Sequence, residues 1–544
     1  MGIALMSACR PATQEEERLR AFPSEKEILR PFGTHDEKAF VAPGKVHYPE
    51  TWFHYIGGNV SHEGITADLE AIASAGISGV QLFHGQFGGR WPATTDSIAC
   101  LSQHWEAAVK HTAEECKRLG LRFTMQNCPG WAMAGGPWIK PENAMRNIVY
   151  SRTDVRGELI EVVTPQPEPN KEEWVDYRDI AVLAFPTPEG DTGQPLEWKQ
   201  VKGNGKFPWK ELMEGTKTVG FPAAEEGQPH WVEFTFKEPA TVRSVELPAV
   251  QDFNHAMSYE PNLHVKAYAI LADGSKHTLV DADLPPSSWQ DRHPITFACP
   301  EVKDAVGCRI EFQNKYDMNM SSIRLWSAAH KNSWQSEAAW DLRAFERTAD
   351  DLMQSPSAYL YANEVIDVTE YMTGDGKLSW KAPSDKTWTI LRFGHVNAGR
   401  KNGPAPEAGT GWECDKLSVE GPEAHFAGYI GKLADGALQG GMLNGMLLDS
   451  WECYSQTWTQ KMEDEFSERM GYDLRKWLPA LIGYVIDNPE TTSRFLLDWR
   501  TVVGDLFAGK FYRRMAELGH ENGLTVVYET AAGDVFPADI MEYF

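Results

Sequence analysis

At 544 residues the chain is too long for one small core, and at roughly 150 residues per domain it is expected to hold about three or four. Its mix of 42% hydrophobic and 24% charged residues is that of a globular protein, which excludes a disordered or fibrous chain. A net charge of -25 repels phosphate backbones and anionic membranes, so nucleic acid is not expected as a partner.

In chain order, Met6-Ser7-Ala8-Cys9 comes first and resembles a bacterial lipobox, although Met1 to Leu5 is too short for a signal h-region. The expectation is a lipid anchor at Cys9 and a periplasmic or cell-surface lipoprotein, with residues 1–45 as a signal and charged leader arm. No segment approaches the ~20 apolar residues of a membrane span. The other seven cysteines show neither a CxxC pair nor a zinc spacing.

From Trp52 the pattern becomes regular. WFHYIGGN predicts a strand, and Ile65, Leu69 and Ile72 predict one face of a helix capped at Gly76. GVQLF is the second strand, Trp105 to Leu119 the second helix, and LRFTMQN the third strand. Alternation of this kind predicts βαβ units and a parallel sheet.

Between 151 and 395 the rhythm changes to short alternating runs such as WVEFTF, HVKAYAI and RIEFQN, separated by turn residues, which predicts inserted β-sandwich modules. Residues 228–328 resemble a discoidin-like, galactose-binding jelly roll, and DIAVLAF and WTILRFGHV on either side read as halves of a second sandwich that it interrupts. The αβ rhythm resumes with a helix near 421–435, a strand in GMLNGMLLDSWE, a long helix at 491–522, a strand in LTVVYE and a sixth in DIMEYF. The expected fold is α/β, a (β/α)8 TIM-like barrel split between 46–150 and 396–544 and short of its last strands, hence truncated at its C-terminus.

The loops after the strand C-termini build the site of such a barrel. Those positions carry His54 and Asn59, then His84, then Asn127, Cys128 and Trp131, then Asp449 and Glu452, then Tyr528 and Glu529, then Glu542. Paired carboxyl groups on one rim are what glycoside hydrolysis requires, one to protonate the departing oxygen and one to activate water or attack the sugar. Twenty tryptophans fit that reading, because exposed indole faces stack on the C–H faces of sugars, although most are expected in cores. There is no phosphate loop, no GxSxG elbow and no second histidine after HEGIT.

WFHYIGGNVSHEGITADLEAIASAGISGVQLF, NCPGWAMAGGPWI, GTGWECDKLS and LLDSWE with QTWT resemble glycoside hydrolase family 106, the α-L-rhamnosidases, over about 50–150 and 395–544. The resemblance implies an inverting, calcium-dependent enzyme that removes terminal α-L-rhamnose from plant polysaccharides or smaller rhamnosides. It implies Glu452 as acid and Glu529 as base, with Glu542 and then Glu413 as substitutes for either role. Trp52, His54, Asn59, Asn127, Trp131 and Asp449 are the expected substrate-binding residues, since a deoxy sugar needs both an apolar wall and fixed polar groups. The reading from another class is a non-catalytic carbohydrate-binding fragment of such an enzyme.

Overall fold

The computed structural model describes residues 31–529 apart from 32, 86–97, 168–173, 251–262, 285–292 and 342–351. The expected sixth strand, with Glu542, and the lipobox around Cys9 lie outside the described residues. Five strands form one parallel sheet in chain order: β1 (Glu50–His54), β2 (Gly79–Phe83), β3 (Arg122–Gln126), β4 (Gly445–Leu448) and β5 (Thr525–Tyr528). Helices α1 (His62–Ser74) and α2 (Gln103–Leu119) connect the first three strands. Ser61 and Ser102 start them by accepting from the backbone N–H groups of Gly64 and Trp105, and Gly120 ends α2 in the left-handed conformation.

The parallel register explains which side chains meet. Trp52 pairs with Gln81 and Gln81 with Thr124, while His54 pairs with Phe83 and Leu447 with Gln126 and Val527. Because side chains alternate across a strand, these residues share one face. The other parity is Phe53, Val80, Leu82, Phe123, Met125, Met446 and Leu448, all in the core beneath the helices. Helix α3 (Glu420–Gly428) precedes β4, and the expected 421–435 helix is broken at Tyr429. The expected 491–522 helix runs as α4 (Pro489–Leu506), a wider π-turn over Phe507–Tyr512, and α5 (Arg513–Glu521).

Between β3 and β4 the chain builds two antiparallel β units, one nested in the other. Arg146–Arg156, Thr387–Asn397, Arg178–Pro186 and Ile366–Asp367 form a four-stranded sheet. With the ribbon of Leu159–Val163 and Lys377–Lys381 it shares a core of Ile160, Val182, Leu378, Trp388 and Ile390. The runs DIAVLAF and WTILRFGHV are thus neighbours in this sheet. Inside that unit, His230–Leu247, Leu263–Ile270, Lys276–Leu284, Ile295–Asn314 and Arg324–Trp326 make the larger sheet. Trp198–Gly203 joins it on His230–Leu247, ahead of the boundary expected at 228.

Candidate active site

The site is built on the polar face of the parallel sheet, at the C-terminal ends of its strands. Leu448 pairs with Tyr528, so Asp449 and Glu529 each stand one residue beyond the last pair on neighbouring strands. Adjacent strands lie about 4.8 Å apart, which sets the two carboxyl groups side by side. Burial, then the hydrogen bond with Glu529, then the charges of Glu529 and Glu452 raise Asp449 from its ordinary 3.8 to about 8. It therefore holds a proton at neutral pH and donates it to Glu529. Gln126, from the same face of β3, fixes Asp449 by donating Nε2–H to its Oδ2 at 2.9 Å, and donates also to the Ala132 carbonyl.

Glu452 comes three residues later, half-buried, on a loop whose flanking side chains Trp451 and Cys453 are buried. Burial first, and the charge of Glu529 second, raise its pKa above the ordinary carboxylate value. Three carboxyl groups thus converge from the ends of β4 and β5, two of them pushed toward the protonated form.

On the opposite side of the rim, Trp52, His54, Phe83 and Trp131 form an aromatic wall. The His54 ring lies 5.7 Å from Trp52, 5.3 Å from Phe83 and 5.7 Å from Trp131, centroid to centroid. Burial lowers the His54 pKa, so the ring is neutral, and its buried Nε2 has no hydrogen-bond partner among the described residues. Trp131 reaches this place because Gly130 turns the chain with φ 88°, where a Cβ would stand 2.2 Å from the Pro404 carbonyl oxygen. Trp52 is 50% exposed, which leaves an indole face open beside the histidine.

Not all the expected residues join this rim. Asn127 has the parity of Met125 and points to the helix layer, fully buried; its carbonyl accepts from His425 Nε2–H of α3 at 3.0 Å, and Trp138 donates to His425 Nδ1. Burial lowers His425 to about 3, which keeps this ring neutral too. Asn59 is exposed, its amide bonded to the Ile56 carbonyl in its own turn. Glu413 lies in the interior, where its Oε2 accepts from Lys416 Nζ at 2.8 Å and from the Ala134 N–H at 3.3 Å. Its partner Lys416 is fully buried, 5.4 Å from the Trp451 ring.

Gln126 and Lys416 escape the reading of strand ends. The signal for Gln126 is the alternation FTMQ, which sets Thr124 and Gln126, both 1% exposed, on one face of an otherwise apolar strand. Among the described residues no group of three or more His, Cys, Asp or Glu side chains is placed to hold a metal ion.

Carboxyl groups biased toward different protonation states, beside an aromatic wall on the rim of a parallel sheet, are the equipment of a glycoside hydrolase. The chain belongs to the α-L-rhamnosidase family, glycoside hydrolase family 106, whose model matches residues 41–544. A solved rhamnosidase from Novosphingobium sp. PP1Y is similar over 93% of this chain and 48% of its own, with a TM-score of 0.75 and 27% identity. A curated Formosa agariphila protein named putative beta-glucuronidase is 29% identical over 518 residues, 94% of this chain and 32% of that protein. The chain therefore spans less than half the length of these relatives.

Proposed function

We propose that the chain carries the catalytic carboxyl groups of an inverting exo-hydrolase that releases terminal α-L-rhamnose from a plant polysaccharide or a smaller rhamnoside. The observation that carries this reading is the convergence of Glu452, Asp449 and Glu529 at the ends of β4 and β5 with unequal proton affinities. Glu452, raised by burial and by the neighbouring anion, is the acid that protonates the glycosidic oxygen as the bond breaks. Asp449 keeps its own proton and donates it in a hydrogen bond to Glu529, which as base takes a proton from the attacking water. Asp449 in this scheme holds Glu529 in place by an O–H donor, and Gln126 holds Asp449.

Trp52 and Trp131 supply the apolar wall for the sugar's C–H faces and C6 methyl, and the buried Nε2 of His54, without a partner among the described residues, supplies a polar contact for a hydroxyl that reaches into the wall. The five strands then belong to a (β/α)8-type barrel, and the two inserted β units act as glycan-holding sandwiches. A calcium requirement is proposed with this on the family resemblance, with no chemical step routed through the ion. A lipid anchor on Cys9 at the cell surface is proposed likewise, and palmitate labelling lost in Cys9→Ser tests it.

The deciding assay is release of para-nitrophenol from its α-L-rhamnoside, with calcium and with EDTA, by the wild-type chain, Glu452→Gln and Glu529→Gln. Release abolished by chelation and lowered at least about 100-fold in Glu529→Gln, with Glu452→Gln losing as much on the methyl glycoside and less on the nitrophenyl substrate, supports the assignment. A folded wild-type chain that binds rhamnose and releases nothing favours the non-catalytic, carbohydrate-binding reading.

A further inference from the structure

The 451–455 loop that carries Glu452 is held in a conformation its sequence does not favour. Tyr454 has φ 67°, the left-handed region that a bulky side chain adopts only when its surroundings hold it there. Those surroundings are specific. The Arg400 guanidinium sits over the Tyr454 ring, with its central carbon 3.3 Å from the ring centroid. The Trp451 indole N–H donates back to the Tyr454 carbonyl at 3.0 Å, closing the loop on itself around Glu452. Trp451 is 1% exposed and wedged edge-on against Phe507 of the π-turn, while Ser455 Oγ ties the next residue to the Trp340 carbonyl at 2.7 Å. Arg400 is itself fixed, since its carbonyl accepts from the Glu413 backbone N–H at 2.9 Å.

From this arrangement we infer that Arg400 and Tyr454 are positioning residues: their stacked pair keeps the 451–455 loop in its left-handed turn and thereby aims the Glu452 carboxyl at the leaving-group oxygen. Glycine would adopt the same backbone without strain, so what holds the turn at this position is the contact made by the tyrosine ring. The inference rests on the assignment of Glu452 as acid, and it predicts a signature that a merely stabilising contact lacks. A misaimed acid hurts substrates whose leaving group needs a proton and spares those whose leaving group departs as an anion.

The test compares wild type, Tyr454→Gly, Tyr454→Phe, Arg400→Ala and Arg400→Lys on methyl and 2,4-dinitrophenyl α-L-rhamnosides. Tyr454→Gly is expected to keep the wild-type Tm, to lose about 100-fold in kcat on the methyl glycoside with KM unchanged, and to lose less than about 5-fold on the dinitrophenyl substrate. Arg400→Ala should behave alike, Arg400→Lys should be intermediate, and Tyr454→Phe, which keeps the ring, should be close to wild type. Equal losses on both substrates, or none, would overturn the role.

Hydrogen exchange of the 451–456 amides reads the same clamp without turnover. Exchange should rise about 10-fold in Arg400→Ala and stay put in Tyr454→Phe, and unchanged protection in Arg400→Ala overturns the clamp. A wild type that cleaves neither substrate yet shows this exchange pattern counts against the catalytic reading and not against the clamp.

Discussion

Replacing Lys416 by methionine removes a cation that has no access to water and leaves Glu413 behind with it. The lysine is 0% exposed and Glu413 2%, and their 2.8 Å contact is supplemented on the carboxylate side by the Ala134 N–H. Breaking a buried pair from one side costs about 3–5 kcal/mol, because the abandoned charge keeps its desolvation penalty. For a chain of 544 residues unfolding as one unit that corresponds to a fall in Tm of about 4 °C. The double variant Lys416→Met with Glu413→Gln removes both charges and should recover at least half of the loss. Thermal unfolding followed by tryptophan fluorescence is a suitable assay, since Lys416 lies against the Trp451 ring. Glu413→Gln alone, assayed well below its own Tm, should retain rhamnoside hydrolysis within about 5-fold, against the 100-fold or greater loss expected of a catalytic acid. A single variant within about 1 kcal/mol of wild type, or a double variant no better than the single, would refute the buried-pair reasoning.

Asp449 gives a pH dependence of definite sign. Its carboxyl keeps a proton to about pH 8 when folded and loses it near its ordinary 3.8 when unfolded, so it makes stability fall as pH rises between those values. Asp449→Asn should flatten that slope, and Tm measured at pH 5 and pH 8.5 should show the variant gaining on the order of 2 kcal/mol relative to wild type at the higher pH. A variant whose profile parallels that of wild type would refute the shared proton. Gly130→Ala forces a Cβ against the Pro404 carbonyl at positive φ and should cost more than about 1 kcal/mol by thermal denaturation while weakening rhamnose binding through Trp131. Trp52→Ala, at a half-exposed ring, should leave stability within about 0.5 kcal/mol and raise KM about 10-fold, and an unchanged KM removes Trp52 from the wall.

Much of the scaffold was legible in the sequence because its signals are local. A left-handed glycine ends α2 at Gly120, apolar stripes define both early helices, and each parallel strand is a short run bounded by turn residues. The strand-end carboxylates were legible for the same reason, since position at the end of an apolar run is all that places Asp449 and Glu529. Asn127 was not: its parity is that of Met125, and which of the two parities faces the helix layer is decided by tertiary packing rather than by the strand's own sequence. Glu413 has the sequence neighbourhood of a site residue, and its lysine three positions on gives no sign of burial. Trp198–Gly203 is a polar edge run, WKQVKG, whose pairing with His230–Leu247 follows from tertiary contact alone.

The nesting of the β units between β3 and β4 has a consequence for how the protein folds. Gln126 and Asp449 are 323 positions apart, a distance at which closing an unfolded loop is slow and entropically costly. The inserted sheet shortens that search. Where the chain leaves the parallel sheet and where it returns, Arg146 and Asn397 face each other as paired residues of one antiparallel ladder. Once this ladder has zipped, β3 and β4 are joined by tethers of 19 and 47 residues instead of the whole insert. An insert whose two ends are paired in this way acts as a clip, and the carboxyl cluster exists only when β4 has closed against β3.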